Sequence, residues 1–251
     1  MEYVKESIVI SGKYVEHTFY EKNTQKSNRI SASRKIQPRF LSEFNHRRAN
    51  NLSSCKRQFV RYVLSGISTY GPPLFITLTF NQNIYSVRDA NYFLRTFFAR
   101  LRKANMASSY LFVPEFQKSG RVHYHGFLWG FDQSYGDCYK GKNLIQIGKE
   151  RSTRYFADLW KEGFVDVRIT DGDKRLVYYL AKYFVKAYDD KRLSGVRLFY
   201  RSRNIPKPFK YSGSMVDQLV DLPTTNATFE SSSEFNSKWF GKVVKINYIK
   251  L

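Results

Sequence analysis

The chain has 251 residues, enough for one substantial core with peripheral extensions, and carries 42 Lys and Arg against 21 Asp and Glu, a formal charge of +21. Such a field repels itself unless it meets an anionic partner, and an aromatic content of 17% beside it favours single-stranded nucleic acid over a membrane surface. The two cysteines, Cys55 and Cys138, lie far apart in no metal-ligand spacing, which excludes a disulfide framework and a zinc ribbon and implies a reducing compartment.

The N-terminus, Met1 to Glu6, is charged from its second residue and lacks the apolar core of a signal peptide. No apolar run approaches a membrane span, so the expected location is cytoplasmic. Residues 1–45 are polar and basic with little periodicity and read as an extension. From His46 to Ser65, Leu52, Phe59, Tyr62 and Val63 recur near helical spacing among Arg47, Arg48, Lys56, Arg57 and Arg61, which predicts a basic amphipathic helix. Gly71-Pro72-Pro73 breaks the chain before a first strand, Leu74 to Phe80.

Ser86 can cap a helix reaching about Lys103, with Tyr92, Phe93, Phe97 and Leu101 on its apolar side. Tyr110 to Phe116 and Val122 to Trp129 read as antiparallel neighbours around a turn at Lys118-Ser119-Gly120. The stretch from Phe131 to Gly148 is loop-rich, and Ser152 or Thr153 opens a helix through Trp160. A strand over Phe164 to Ile169 and a helix over Lys174 to Tyr188 follow. Beyond Asp190 the chain is polar, with a Ser/Thr/Asn-rich stretch from Thr224 to Ser237 and a candidate edge strand over Trp239 to Ile249. The predicted class is α+β, an antiparallel sheet of ferredoxin-like layout with helices on a face.

Three features carry chemistry. His123 and His125 have the same strand parity and project side by side, a spacing that suits two imidazoles sharing a divalent metal. A hard ion such as Mg²⁺ or Mn²⁺ prefers some oxygen ligation, and Glu115 on the neighbouring strand is the candidate, with Gln117 a weaker alternative. On the last helix Tyr179, Lys182, Tyr183 and Lys186 share one face, while Val177, Leu180, Ala181, Phe184 and Tyr188 fall on the other. A tyrosine attacking a phosphodiester needs nearby cations, which the two lysines supply. Gly136 to Lys142 imitates a phosphate-binding loop, but Asn143 stands where Ser or Thr is required.

Phe75 to Phe80, Gly120 to Gly126 and Tyr179 to Lys186 occur in this order, and together they resemble the three motifs of the HUH endonucleases that initiate rolling-circle replication. The doubled Tyr-x-x-Lys looks most like the two-tyrosine initiators of microvirus-type phages and some plasmids. The resemblance implies an RRM-like endonuclease domain over about residues 46–210, with residues 211–251 as a C-terminal extension. It also implies metal ligation by His123, His125 and Glu115, nucleophiles at Tyr179 and Tyr183, and phosphate-side partners in Lys182 and Lys186. The implied activity is metal-dependent nicking and rejoining of origin DNA through a 5′-phosphotyrosine link, in a bacterial host cytoplasm and with host helicase and polymerase as partners. A two-tyrosine transposase, a mobilisation relaxase and a non-catalytic nucleic-acid-binding module are the alternatives. Candidate DNA contacts are Arg47, Arg48, Lys56, Arg57, Arg61, Arg121, Arg201 and Arg203, with the Arg100 to Lys103 cluster beside them. The family's position between the histidines is usually aliphatic; here Tyr124 occupies it, and an inward phenol requires a partner.

Overall fold

A computed structural model describes residues 5–22, 41–104, 109–130, 156–182, 191–193, 196–217, 224 and 226–250. In chain order the elements are β1 (Lys5–Ser11), β2 (Tyr14–Tyr20), α1 (Leu41–Tyr70), β3 (Leu74–Thr79), α2 (Val87–Lys103), β4 (Ser109–Phe116), β5 (Val122–Trp129), β6 (Val165–Ile169), α3 (Lys174–Ala181), β7 (Tyr200–Arg201), β8 (Phe209–Ser212), α4 (Ser214–Asp217), β9 (Ala227–Ser237) and β10 (Gly241–Lys250). The fold is α+β, with two five-stranded sheets. Among the described residues no helix is long and apolar enough to cross a membrane.

Residues 49–206 form one compact unit. Its sheet has the order β6-β3-β5-β4-β7, and every pairing is antiparallel. Strand parity divides the sheet into two faces. One face carries Leu74, Ile76, Leu78, Phe112, Tyr124, Leu128, Val165 and Val167, which form a single core cluster with Val87, Ala90, Leu94, Phe97 and Leu101 of α2 and with Phe156 and Trp160. Gly126 belongs to the same parity, and a Cβ there would meet the Phe112 ring at 2.4 Å, so the glycine makes room for that ring. Ser86 caps α2 by accepting from Asp89 N, and Arg100, Arg102 and Lys103 complement the dipole at its other end. Tyr92, expected on the apolar side of α2, is 65% exposed. The buried stripe instead runs through Ala90, Leu94, Phe97, Phe98 and Leu101, because the contact face is set by the sheet below and not by aromatic content.

The opposite face begins with the apolar residues Phe75, Leu111, Phe127 and Trp129, all buried. Trp129 lies against Gly66 of α1, where a Cβ would come within 2.8 Å of the indole, and its Nε1 donates to Gly71 O at 3.2 Å. Toward the other end of the same face the residues become polar: Thr77, Thr79, His123, His125 and Glu115.

Residues 1–48 with 207–251 form the second unit. Its sheet has the order β8-β1-β2-β10-β9. The N-terminal stretch read as an extension of little periodicity contains β1 and β2, joined by a two-residue turn at Gly12 and Lys13 with φ of 62° at Gly12. Polar and charged residues inside both strands, Glu6, Ser7, Glu16 and Thr18, hide the alternation. The polar stretch before Ser237 is β9, exposed along nearly its whole length, so no burial pattern announces it and pairing with β10 holds it. β10 is not an edge strand, since it lies between β2 and β9.

Candidate metal centre and tyrosine face

The β4–β5 hairpin sets Glu115 directly opposite His123, two residues from His125. The turn closes with Gln117 N donating to Arg121 O and Gly120 N donating to Gln117 O, with Gly120 at a φ of 82°. Gln117 thus serves the turn through its backbone. Glu115 Oε2 lies 2.8 Å from His123 Nε2 and 2.9 Å from His125 Nε2, and the three side chains are only 10–14% exposed. With the carboxylate ionised, both ring nitrogens donate to the same oxygen. The three ligand atoms lie within 4.8 Å of one another, and no other such group occurs among the described residues.

The donor set, two imidazole nitrogens and one carboxylate oxygen converging from two adjacent strands, fits a divalent cation that accepts mixed nitrogen and oxygen ligation. His125 has a further partner. Thr77 on β3 is its register neighbour, and Thr77 Oγ1 lies 3.0 Å from Nδ1. A hydroxyl can donate to Nδ1 or accept from Nδ1–H, so Thr77 serves either tautomer, and the one that frees Nε2 for a metal is the second. Sequence reasoning passed over Thr77. The available signal was its parity, two residues before Thr79 on a strand paired with the histidines.

Tyr124 points to the opposite face and is fully buried. Its hydroxyl donates to Asn91 Oδ1 at 2.8 Å, and Asn91 Nδ2 donates to Tyr200 Oη at 2.6 Å. Burial pushes the Tyr124 phenol far above its ordinary pKa and raises that of Tyr200 as well. The partner required of an inward phenol is therefore Asn91 on α2.

Asp173 caps α3, accepting from Arg175 N at 2.7 Å, and the Arg175 side chain bonded to the same carboxyl holds its pKa below the usual value. Val177, Leu180 and Ala181 are buried, as the helical pattern predicted. Tyr179 is 48% exposed and meets the Phe75 ring edge-on at 6.5 Å, while Lys182 is exposed. Phe75 in turn stacks on His125 at 5.8 Å. Tyr183 and Lys186, the loop from Phe131 to Gly148 with its false phosphate loop, and the helix start at Ser152 or Thr153 lie outside the described residues.

The proposed DNA contacts are dispersed. Lys56, Arg57 and Arg61 lie on α1, whose side chains before Leu52, Arg47 and Arg48 among them, are outside the described residues. Arg121 Nε donates to Ser119 Oγ within the hairpin turn, and Arg203 is exposed. Arg201 stacks its guanidinium over Tyr62 at 4.1 Å and donates to Ser202 O, tying β7 to α1. Arg100 donates to the carbonyls of Leu159 and Trp160, which ties α2 to the helical residues 156–160.

An acidic and bis-imidazole cluster beside a tyrosine-bearing helix defines a site fit for phosphate-ester chemistry on one face of an antiparallel sheet. A family model for replication-associated proteins of the ORF2 type matches residues 73–188, the span from β3 through α3 that contains this whole site. The chain is also similar to the phasyl DNA replicon protein arp of Escherichia coli, 25% identical over 209 residues that make up 78% of this chain and 73% of that protein. No solved structure matches it. The two similarities suggest a replication initiator.

Proposed function

We infer that this protein is a site-specific single-stranded DNA endonuclease and strand transferase that initiates, and later terminates, rolling-circle replication in the manner of HUH endonucleases. The observation that carries this reading is the convergence of Glu115, His123 and His125 on one point, with Tyr179 two rings away through Phe75. The replication-associated match over the same residues supports it.

In the proposed reaction the Tyr179 phenol oxygen bonds to phosphorus and the bond to the 3′-oxygen breaks. The phenol proton is lost, the leaving oxygen takes up a proton as a 3′-hydroxyl, and the 5′ phosphate stays on the tyrosine. Lys182, exposed at the end of α3, offsets charge on the non-bridging oxygens. Glu115, His123 and His125 would hold a divalent ion, which supplies Lewis-acid polarisation of the phosphate when bound. Tyr183 and Lys186 are the second nucleophile and its partner in this reading, taken from their place in the sequence. The deciding experiment incubates the full chain with a labelled single-stranded oligonucleotide library and Mn²⁺. A denaturing gel should show a protein band carrying label, abolished by chelator and by the double variant Tyr179→Phe, Tyr183→Phe. A band that survives the double variant overturns the assignment.

A further inference from the structure

Beside Tyr179 the sheet edge and the start of α3 enclose an open cleft of about 910 Å³, large enough for a nucleotide. Its aromatic walls are Phe75, Tyr178 and Tyr179, and Tyr178 is 55% exposed. Arg168 of β6 forms the far side, and Asp171 stands in the turn between β6 and α3. Lys182 lines the cleft at the C-terminal end of α3.

The charges are arranged against a phosphate trap. Arg168 Nε is bonded to Asp166 at 2.9 Å and Arg175 Nη2 to Asp173 at 2.6 Å, so each guanidinium already carries a carboxylate. Asp171 adds a third carboxylate to the same wall, where a phosphate would meet repulsion. A nucleobase meets complementarity instead. Its face can stack on the aromatic wall. Along its edge, carboxylates accept from amino groups, as they do from the cytosine amine, and the remaining guanidinium N–H groups donate to ring nitrogens or carbonyls.

We propose that this cleft is a nucleobase pocket for a nucleotide adjacent to the scissile phosphodiester, selecting a base with an exocyclic amino group over thymine. The proposal rests on the nicking function inferred above for the position of the pocket relative to the cut. Asp171 accepts from the amino group, Arg168 donates to the neighbouring acceptor, and Tyr178 stacks. The phosphate then lies toward Tyr179 and Lys182. Thymine offers no amino donor and leaves Asp171 without a hydrogen bond from the base.

The test uses the full-length protein and fluorescein-labelled dA, dC and dT twelve-mers, with equilibrium binding read by anisotropy. The wild type should bind dC and dA about tenfold more tightly than dT, the discrimination expected of one good polar base contact. Asp171→Asn and Arg168→Ala should bring the three affinities together. Both side chains are exposed, so neither change threatens the fold. Tyr178→Ala should weaken all three complexes alike. Equal wild-type binding, or a preference untouched in both polar variants, overturns the pocket. The Mn²⁺-dependent covalent band on the oligonucleotide library separates the two readings: a band without base preference leaves nicking standing and removes the pocket. Base preference without a band keeps a base-selective pocket and removes the nuclease.

Discussion

The ring of Phe75 lies nearly parallel to the imidazole of His125, 5.8 Å from it and 9° from coplanar. Its edge faces Tyr179 on the other side, so one buried phenyl ring sets the separation between the metal-binding cluster and the helix that bears the tyrosine. Phe75→Leu should cost about 1 kcal/mol of stability, as volume-similar core exchanges do. Covalent adduct formation should fall about tenfold while Mn²⁺ affinity changes little, since tyrosine placement and not ligation is lost. Equal losses in both measurements would contradict the spacer role.

Glu115 is the shared oxygen partner of both histidines. Mn²⁺ at about a hundred times its dissociation constant should stabilise the wild type by about 2.7 kcal/mol, read as a rise in melting temperature. Glu115→Gln and His123→Ala should lose most of that rise. Chelator should stop adduct formation while leaving single-stranded DNA binding nearly intact, because the basic surface does not depend on the ion.

Thr77 holds His125 Nδ1 through its hydroxyl. Thr77→Val keeps the shape and removes the bond, and outer-shell losses of this kind weaken metal binding about 10- to 100-fold. Thr77→Ser should recover most of the affinity, measured by isothermal titration with Mn²⁺. A valine variant that binds as tightly as wild type would leave Thr77 a packing residue.

The Tyr124–Asn91 pair supplies a pH signature. Burial raises the Tyr124 phenol pKa in the folded state, whereas the unfolded chain ionises at about pH 10. The folded state binds the proton more tightly, so the stabilisation is complete below that pH and is lost as pH rises through the unfolded value toward the folded one. Tyr124→Phe should cost about 1 kcal/mol at pH 7 by leaving Asn91 Oδ1 without its donor. The deficit should shrink between about pH 10 and 11 in urea melts. A deficit that is constant with pH would show that the phenol keeps its ordinary pKa.

Much of the site was legible because strand parity and hairpin register are readable from sequence. A Glu eight residues before His123, with a short turn between them, has one natural pairing. The buried face of α3 followed from helical spacing at Val177, Leu180 and Ala181. Thr77 and Phe75 were less visible, because their roles depend on which strand neighbours β5, and that is a long-range choice. The cleft residues Arg168, Asp171 and Tyr178 come from three successive elements whose meeting cannot be read from local pattern. The second sheet was missed for a related reason: β1 and β2 pair with β10 and β8 from the far end of the chain.

The turn over residues 117–121 carries a consequence for how this protein can change over generations. Because side chains alternate, gaining or losing a single residue there would rotate β5 by one register step. Both imidazoles would then be driven into the apolar layer beneath α2, and Val122 and Tyr124 would be turned outward. Such a length change would unfold the domain before it could yield a stable but inactive relative. Descendants that abandon cleavage should therefore retain the hairpin length and replace the ligands in place, and inactive homologues should be recognisable by substitutions at 115, 123 and 125 within an ungapped turn.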